Sequence, residues 1–271
     1  MVGWVSVRGV IRESDSGRSW DQGVSQLTRK IRSLGDKSEV KAIVLDINSP
    51  GGTVGAVQEI HSALLRVRRE KKKPVVALLG DMAASGGYYL AAGCDKVVAH
   101  PGTLVGSIGV IFNTMNVEKL FEKIGVKTDP IKSGKHKDIG SATRPMTPEE
   151  RQLLQALIDD AYGQFLRAVM EGRNLPEAEA RPLADGRIFT GDQAKALRLV
   201  DEVGDSRDAI ELAGKLGGIS GTPKVLREGE SLESILGMLE FSLSRWLRPE
   251  AAILGQLRDS APALEYRWLG F

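Results

Sequence analysis

The chain has 271 residues, 42% of them apolar and 27% charged, a mixture that buries a sizeable core and excludes a disordered polymer. Its 37 Lys and Arg against 35 Asp and Glu leave a net charge of +2, too small for a protein held to nucleic acid by phosphate contacts. One cysteine, Cys94, excludes a disulfide framework, and three histidines (His61, His100, His136) leave little for a His-rich metal site, so serine, lysine or carboxylate chemistry is favoured.

Residues 2–11 predict a strand, with no positively charged leader and apolar core before it. Residues 21–34 predict a helix, because Val24, Leu27, Ile31 and Leu34 recur at helical spacing. Residues 41–47 (KAIVLDI) read as a buried strand that ends in the turn Ser49-Pro50-Gly51-Gly52. Residues 54–70 put Val57, Ile60, Leu64 and Val67 on one helical face and finish in an Arg/Lys run. A second buried strand, 74–79 (PVVALL), leads into a glycine turn at 80–87 and a short helix through Ala92. Further short strands are expected at 96–99 and 110–113. Residues 97–117 carry no Asp, Glu, Lys or Arg, yet Pro101 and three glycines would break a membrane helix, so they read as buried strand and tight turn.

Residues 132–145 (KSGKHKDIGSATRP) form a polar loop of the length usually kept for function or disorder. A long helix then opens with Thr147 as N-cap, Pro148 at the first helical position and Glu150 completing a capping box. Its apolar stripe is Leu154, Leu157, Ala161, Phe165 and Val169. Shorter helices at 191–199 and 206–216 flank a strand-like 199–203. Glycine and proline at 217–223 mark a boundary, dividing a compact domain (1–221) from a C-terminal appendage (222–271). The appendage holds an amphipathic helix at 232–247 and the tail Tyr266-Arg267-Trp268-Leu269-Gly270-Phe271. Strand, glycine turn and helix in alternation predict an α/β fold, a mainly parallel sheet with helices packed on it.

Two glycine turns follow successive buried strands. In Asn48-Ser49-Pro50-Gly51-Gly52 the glycine pair either makes a plain turn or lets backbone N–H groups face an anion. In Ala83-Ala84-Ser85-Gly86-Gly87 a serine stands where strand becomes helix, either as a helix cap or as an exposed nucleophile with the Gly86 N–H beside it. The repetition favours the catalytic reading. A nucleophilic serine needs a base. His61 reads as a packing or surface residue and His100 as a structural one. His136, Lys132, Lys135 and Lys137, all in the polar loop, remain open, and a lysine serves only if burial or like charge lowers its pKa. Ser107, in Gly106-Ser107-Ile108-Gly109, is a turn hydroxyl or a group that orients the base.

NSPGG at 48–52, MAASGGYY at 82–89, GSIGV at 106–110, IKSGKHKDI at 131–139 and ADGRIFTGDQAKALRLVDEVG at 184–204 together resemble the signal peptide peptidases of the SppA type, peptidase family S49. The resemblance covers roughly residues 2–216 and implies a fold like Clp protease and the crotonases, with repeated ββα units. It also implies a Ser–Lys dyad, with Ser85 as nucleophile and Lys137 as general base. Gly52 and Gly86 would then be the oxyanion-hole donors, with Ser107 steadying the lysine. The resemblance, not spacing, selects Lys137 over Lys135 and His136. It implies no metal and no cofactor.

The implied substrates are remnant signal peptides and other apolar peptides, cut in or near the membrane. The implied assembly is a homo-oligomeric ring with sites shared between neighbours. Family members usually carry an N-terminal membrane anchor, while this chain starts at the protease domain. The expected location is therefore the extracytoplasmic face of the bacterial cytoplasmic membrane with an anchor, and soluble and cytoplasmic without one. The competing functions are a crotonase-type acyl-CoA enzyme and a catalytically silent membrane-quality-control scaffold. For the C-terminal tail, packing, an inhibitory segment in the substrate groove and a membrane-facing surface stay open.

Overall fold

A computed structural model describes residues 1–13, 23–227 and 264–268. In chain order its first half holds β1 (Val2–Arg8), α1 (Val24–Asp36), β2 (Ala42–Ser49), β3 (Gly51–Thr53), α2 (Val54–Glu70), β4 (Val75–Ala84), α3 (Gly86–Ala92), β5 (Lys96–Ala99) and β6 (Leu104–Gly106). There follow α4 (Glu118–Lys123), α5 (Pro148–Arg173), α6 (Glu177–Ala180), β7 (Ile188–Phe189), α7 (Gly191–Ala196), β8 (Glu202–Val203), α8 (Ser206–Leu216), β9 (Val225–Arg227) and β10 (Glu265–Arg267).

The sheet follows from strands that are apolar on both faces. Odd residues of β1, β2 and β4 (Val5, Val7; Ile43, Leu45, Ile47; Val75, Ala77, Leu79) enter the larger core under α1, α2, α3 and α5. Even residues (Val2, Trp4; Ala42, Val44; Val76, Leu78) pack with Ala209 and Ala213 of α8 on the other side. Continuous apolar runs of this kind belong to parallel strands covered on both faces. The strand order is β7-β6-β4-β2-β1-β9, with β5 beside the first half of β4 and β8 beyond β5. All pairs in it are parallel except β6 with β7. This is the mainly parallel α/β architecture expected.

The local reading held best where chemistry is local. α2 and α8 span the expected residues, and α5 begins at its capping box. There the Thr147 N–H donates to Glu150 (2.9 Å) and the Glu150 N–H to the Thr147 hydroxyl (3.2 Å). Several details differ: β1 stops at Arg8, α7 at Ala196, and of 199–203 only Glu202–Val203 is strand. β4 does not stop at Leu79 but runs to Ala84, because its second half (Met82–Ala84) pairs with β6 while its first half pairs with β5. The strand expected at 110–113 is a single bridge at Ile111, and the strand of this region is β6, which finds β4 as a partner. Leu157 of the predicted stripe is exposed. The helix expected at 232–247, and the first two residues of the one expected at 21–34, lie outside the described residues.

α5 approaches α3 so closely that a Cβ on Gly172 would overlap the Ala92 carbonyl oxygen. Gly172→Val is expected to lower stability by about 1–3 kcal/mol through overpacking against an atom that cannot rotate away. Gly55→Ala on α2, where a Cβ meets nothing within 4 Å, is expected to leave it unchanged or slightly raised. Urea midpoints of the two variants check this contrast.

Candidate active site

Only one residue separates β4 from α3, and it is Ser85. Its backbone is at φ 52°, ψ −118°, a conformation that L-residues avoid at a cost of order 1–3 kcal/mol. Tertiary bonds hold it there: its N–H donates to the Gly106 carbonyl (2.7 Å), and its carbonyl accepts from the Tyr89 N–H (2.9 Å). The Ser85 side chain makes no capping hydrogen bond to α3, so helix capping does not account for a serine at this position. Its neighbour Gly86 provides the first N–H of α3, one that has no partner within the helix. A Cβ on Gly86 would press 2.6 Å from Val57 Cγ2 and 3.1 Å from the Tyr266 carbonyl oxygen.

The preceding corner is built by Ser49. Its buried hydroxyl donates to the Gly9 carbonyl (2.6 Å) and accepts from the Gly51 N–H (3.1 Å). Gly51 has φ 101°, and a Cβ there would overlap the Tyr266 carbonyl oxygen. A Cβ on Gly52 would overlap the Ile11 carbonyl oxygen. Both glycines are thus required by close backbone approach, one on each side, and the turn expected at 48–52 is the start of β3. The same crowding sets Gly51 2.6 Å from the Gly86 nitrogen, measured from where its Cβ would be.

Ser107 is a second non-glycine residue at positive φ (50°), held by its N–H to the Arg187 carbonyl (2.7 Å). Ser85 and Ser107 together line an open cleft of about 380 Å³, with Ile108, Tyr162 and Asp185 among its walls. The structure therefore brings Ser85, Ser107, Gly52 and Gly86 into one region.

Lys137 stands apart from them. It is exposed, in the 131–146 loop, and does not line the cleft. That loop is clamped to the start of α5 by Arg144, which donates to Asp138 (2.8 Å) and to Glu150 (2.5 Å), while Lys132 also holds Asp138 (2.6 Å). Lys135 pairs with Glu149, and His136 Nε2 lies 3.4 Å from the same carboxylate. Of the other histidines, His100 is exposed and His61 packs edge-on against Tyr89 (4.9 Å). Burial pushes the His61 pKa down to about 4, so it is a neutral packing residue at pH 7.

The clamp has a pH signature. Arg144 holds the Glu150 carboxyl down from 4.5 to about 2 and Asp138 well below the carboxylate range. A depressed carboxyl stabilises above its ordinary pKa and ceases to do so as pH falls through the depressed value. The stability gap between wild type and Arg144→Met is therefore expected to be constant above about pH 5 and to close toward pH 2. Melting temperatures across that range check it.

The profile of Peptidase family S49 matches residues 67–220, more than half the chain. The chain belongs to peptidase family S49. The Clp protease profile also matches, over residues 16–108, in agreement with the layered parallel sheet. A Synechocystis sp. protein provisionally named a protease is 48% identical over 184 residues, 68% of this chain and 66% of that one. One from Methanocaldococcus jannaschii, named likewise, is 40% identical over 200 residues, 73% of this chain and 63% of its own length. A third, from Enterococcus faecium, provisionally named signal peptide peptidase SppA, is 35% identical over 210 residues, 76% and 61% of the two chains. The chain thus spans just under two thirds of these relatives.

Proposed function

We propose that this chain is a serine endopeptidase in which Ser85 is the nucleophile and Lys137 the general base. The observation that carries this reading is a serine held at positive φ between strand and helix, uncommitted to capping and lining a cleft beside two backbone-crowded glycines. Neutral Lys137 takes the Ser85 proton as the hydroxyl oxygen bonds to the scissile carbonyl carbon. The Gly52 and Gly86 N–H groups receive the oxyanion, the amine leaves with a proton from the lysine, and a water activated by Lys137 releases the acyl group. Ser107 steadies the lysine from the cleft wall. Membership of family S49 and the name of the Enterococcus relative support peptide substrates of the signal-peptide kind, apolar and released near a membrane. None of the helices among the described residues is long and apolar enough to cross a membrane.

The base comes from a neighbouring copy in a ring. Lys137 is exposed and away from its own cleft, and the arm that carries its loop has an uncovered apolar side. Met115, Leu120, Ile124, Val126 and Ile131 are exposed there, and α4 buries no residue at all. A second copy of this chain is the occupant that would both cover that arm and complete the site.

Ser85→Ala and Lys137→Ala are each expected to reduce peptide hydrolysis on the order of 10⁴-fold while leaving the melting temperature within a few degrees. Mixing the two inactive proteins is expected to restore a fraction of the wild-type rate, because one supplies lysine and the other serine. An active monomer on size-exclusion chromatography would refute the shared site. Activity is expected to rise on a basic limb that survives His136→Ala; loss of the limb in that variant would move the base to histidine.

A further inference from the structure

We infer that Arg144 is the positioning residue of the proposed general base: acting through Asp138, it ties the residue next to Lys137 to α5 and so to the core of the chain that supplies the lysine. The inference rests on the peptidase reading above and adds what sets the lysine's place.

Residues 131–146 belong to no helix or strand, so no ladder holds them. Three of their backbone bonds are single turns around the base. The Lys137 N–H donates to the Gly134 carbonyl (3.2 Å), the Ile139 N–H to His136 (3.1 Å) and the Ser141 N–H to Asp138 (3.0 Å). One further bond, from the Val117 N–H to the Ala142 carbonyl (2.7 Å), ties the loop to the arm of α4, which itself buries no residue. Neither the turns nor the arm connects the loop to the core.

Arg144 does. Its Nε and Nη2 donate to the two oxygens of the Asp138 carboxylate (2.8 Å each), and Nη2 also to the Asp138 carbonyl (3.1 Å). From Nη1 and Nη2 it reaches both oxygens of Glu150 (2.8 and 2.5 Å). Glu150 is buried and accepts from the Thr147 N–H as well, closing the capping box that starts α5. From there α5 carries Ala161, Phe165 and Val169 into the larger core. These are charge-assisted bonds, roughly twice as strong as neutral ones, and only a planar guanidinium can fork onto two carboxylates at once. Asp138 is therefore held at side chain and backbone, and it is bonded directly to the base. The same arrangement leaves one amine to act. Lys132 is engaged by Asp138 and Lys135 by Glu149, whereas Lys137 has no ion-pair partner among the described residues. Placement of this kind matters because a displacement of about 1 Å at a reacting group can cost on the order of 100-fold in rate.

Arg144→Met is read in two ways. Hydrogen exchange of the 131–146 loop in Ser85→Ala needs no activity, and adding Arg144→Met is expected to speed it at least about 10-fold while exchange in α2 stays unchanged. The kinetic arm mixes Ser85→Ala chains, which supply the lysine, with Lys137→Ala chains, which supply the serine. Arg144→Met in the lysine-supplying chain is expected to lower the recovered kcat at least about 10-fold with KM within about 2-fold. In the serine-supplying chain the same substitution is expected to change the recovered rate less than about 2-fold, and Arg144→Lys in the lysine-supplying chain to fall between. Equal losses in both placements, which a merely structural role would give, overturn the inference, and so does unchanged exchange. If Arg144→Met does not fold, Asp138→Asn replaces it, since it keeps the side chain's shape and removes its charge. If the unmodified mixture recovers nothing while wild type is active, the shared site falls; the kcat of Arg144→Met alone, expected at least about 10-fold down, then decides the inference. An inactive wild type sinks the peptidase reading, and exchange alone then decides whether Arg144 holds the loop.

Discussion

Three backbones meet at two residues without side chains. Gly51 and Gly52 lie between Ile11 on one side and Tyr266 on the other, and a methyl group at either would overlap a carbonyl oxygen. Everything near the proposed chemistry is positioned from this corner. It lets β3 leave β2 at once, starts α2 at Val54, and sets the Gly86 nitrogen against Gly51. Ser49 fixes the corner through a fully buried hydroxyl that donates to the Gly9 carbonyl and accepts from the Gly51 N–H, which is why a serine stands where a turn would tolerate most polar residues.

β4 does the second half of the work by changing partners along its length. Its first half is stitched between β2 and β5, its second half turns to β6, and Ser85 follows directly. The strain at Ser85 is sustained because the bond from its N–H to Gly106 is the continuation of the β4·β6 ladder. Ser107, one residue past the end of β6, carries a similar positive φ. Two strained serines at the ends of adjacent parallel strands are thus one consequence of one strand pairing, and both open into the same cleft.

How much of this was legible depended on whether the cause was local. The α5 start was readable from Thr147, Pro148 and Glu150, because a capping box is closed by residues three apart. The two glycine turns were recognisable as special, and their pairing with buried strands pointed to Ser85. The strands β6, β7 and β10 were not foreseen. Each has three residues or fewer, and what makes it a strand is a partner far away in sequence, such as Gly51–Thr53 for Glu265–Arg267. Period and propensity carry no signal about such a partner. The tail was recognised only as apolar, with three roles open, because the pocket that receives Tyr266 is assembled from α3 and α5.

The titratable groups of the core show what burial does in this protein and what it leaves to be done. Burial pushes the Cys94 thiol up to about 12, drives the Tyr88 phenol higher still, and keeps His61 neutral. In each case removal from water disfavours the charged form, and in none of them does the group face the cleft of Ser85. Lys137 needs the same push, toward a neutral amine, if it is to take a proton from Ser85. The 131–146 loop that carries it is held by a clamp of charged groups, Arg144 with Asp138 and Glu150, and Lys137 itself is exposed. Those charges fix the loop's shape without burying its lysine. On the proposed reading, shape comes from within the chain and desolvation from outside it. A second copy laid over the exposed apolar arm would remove water from Lys137 in the same event that brings it to a serine.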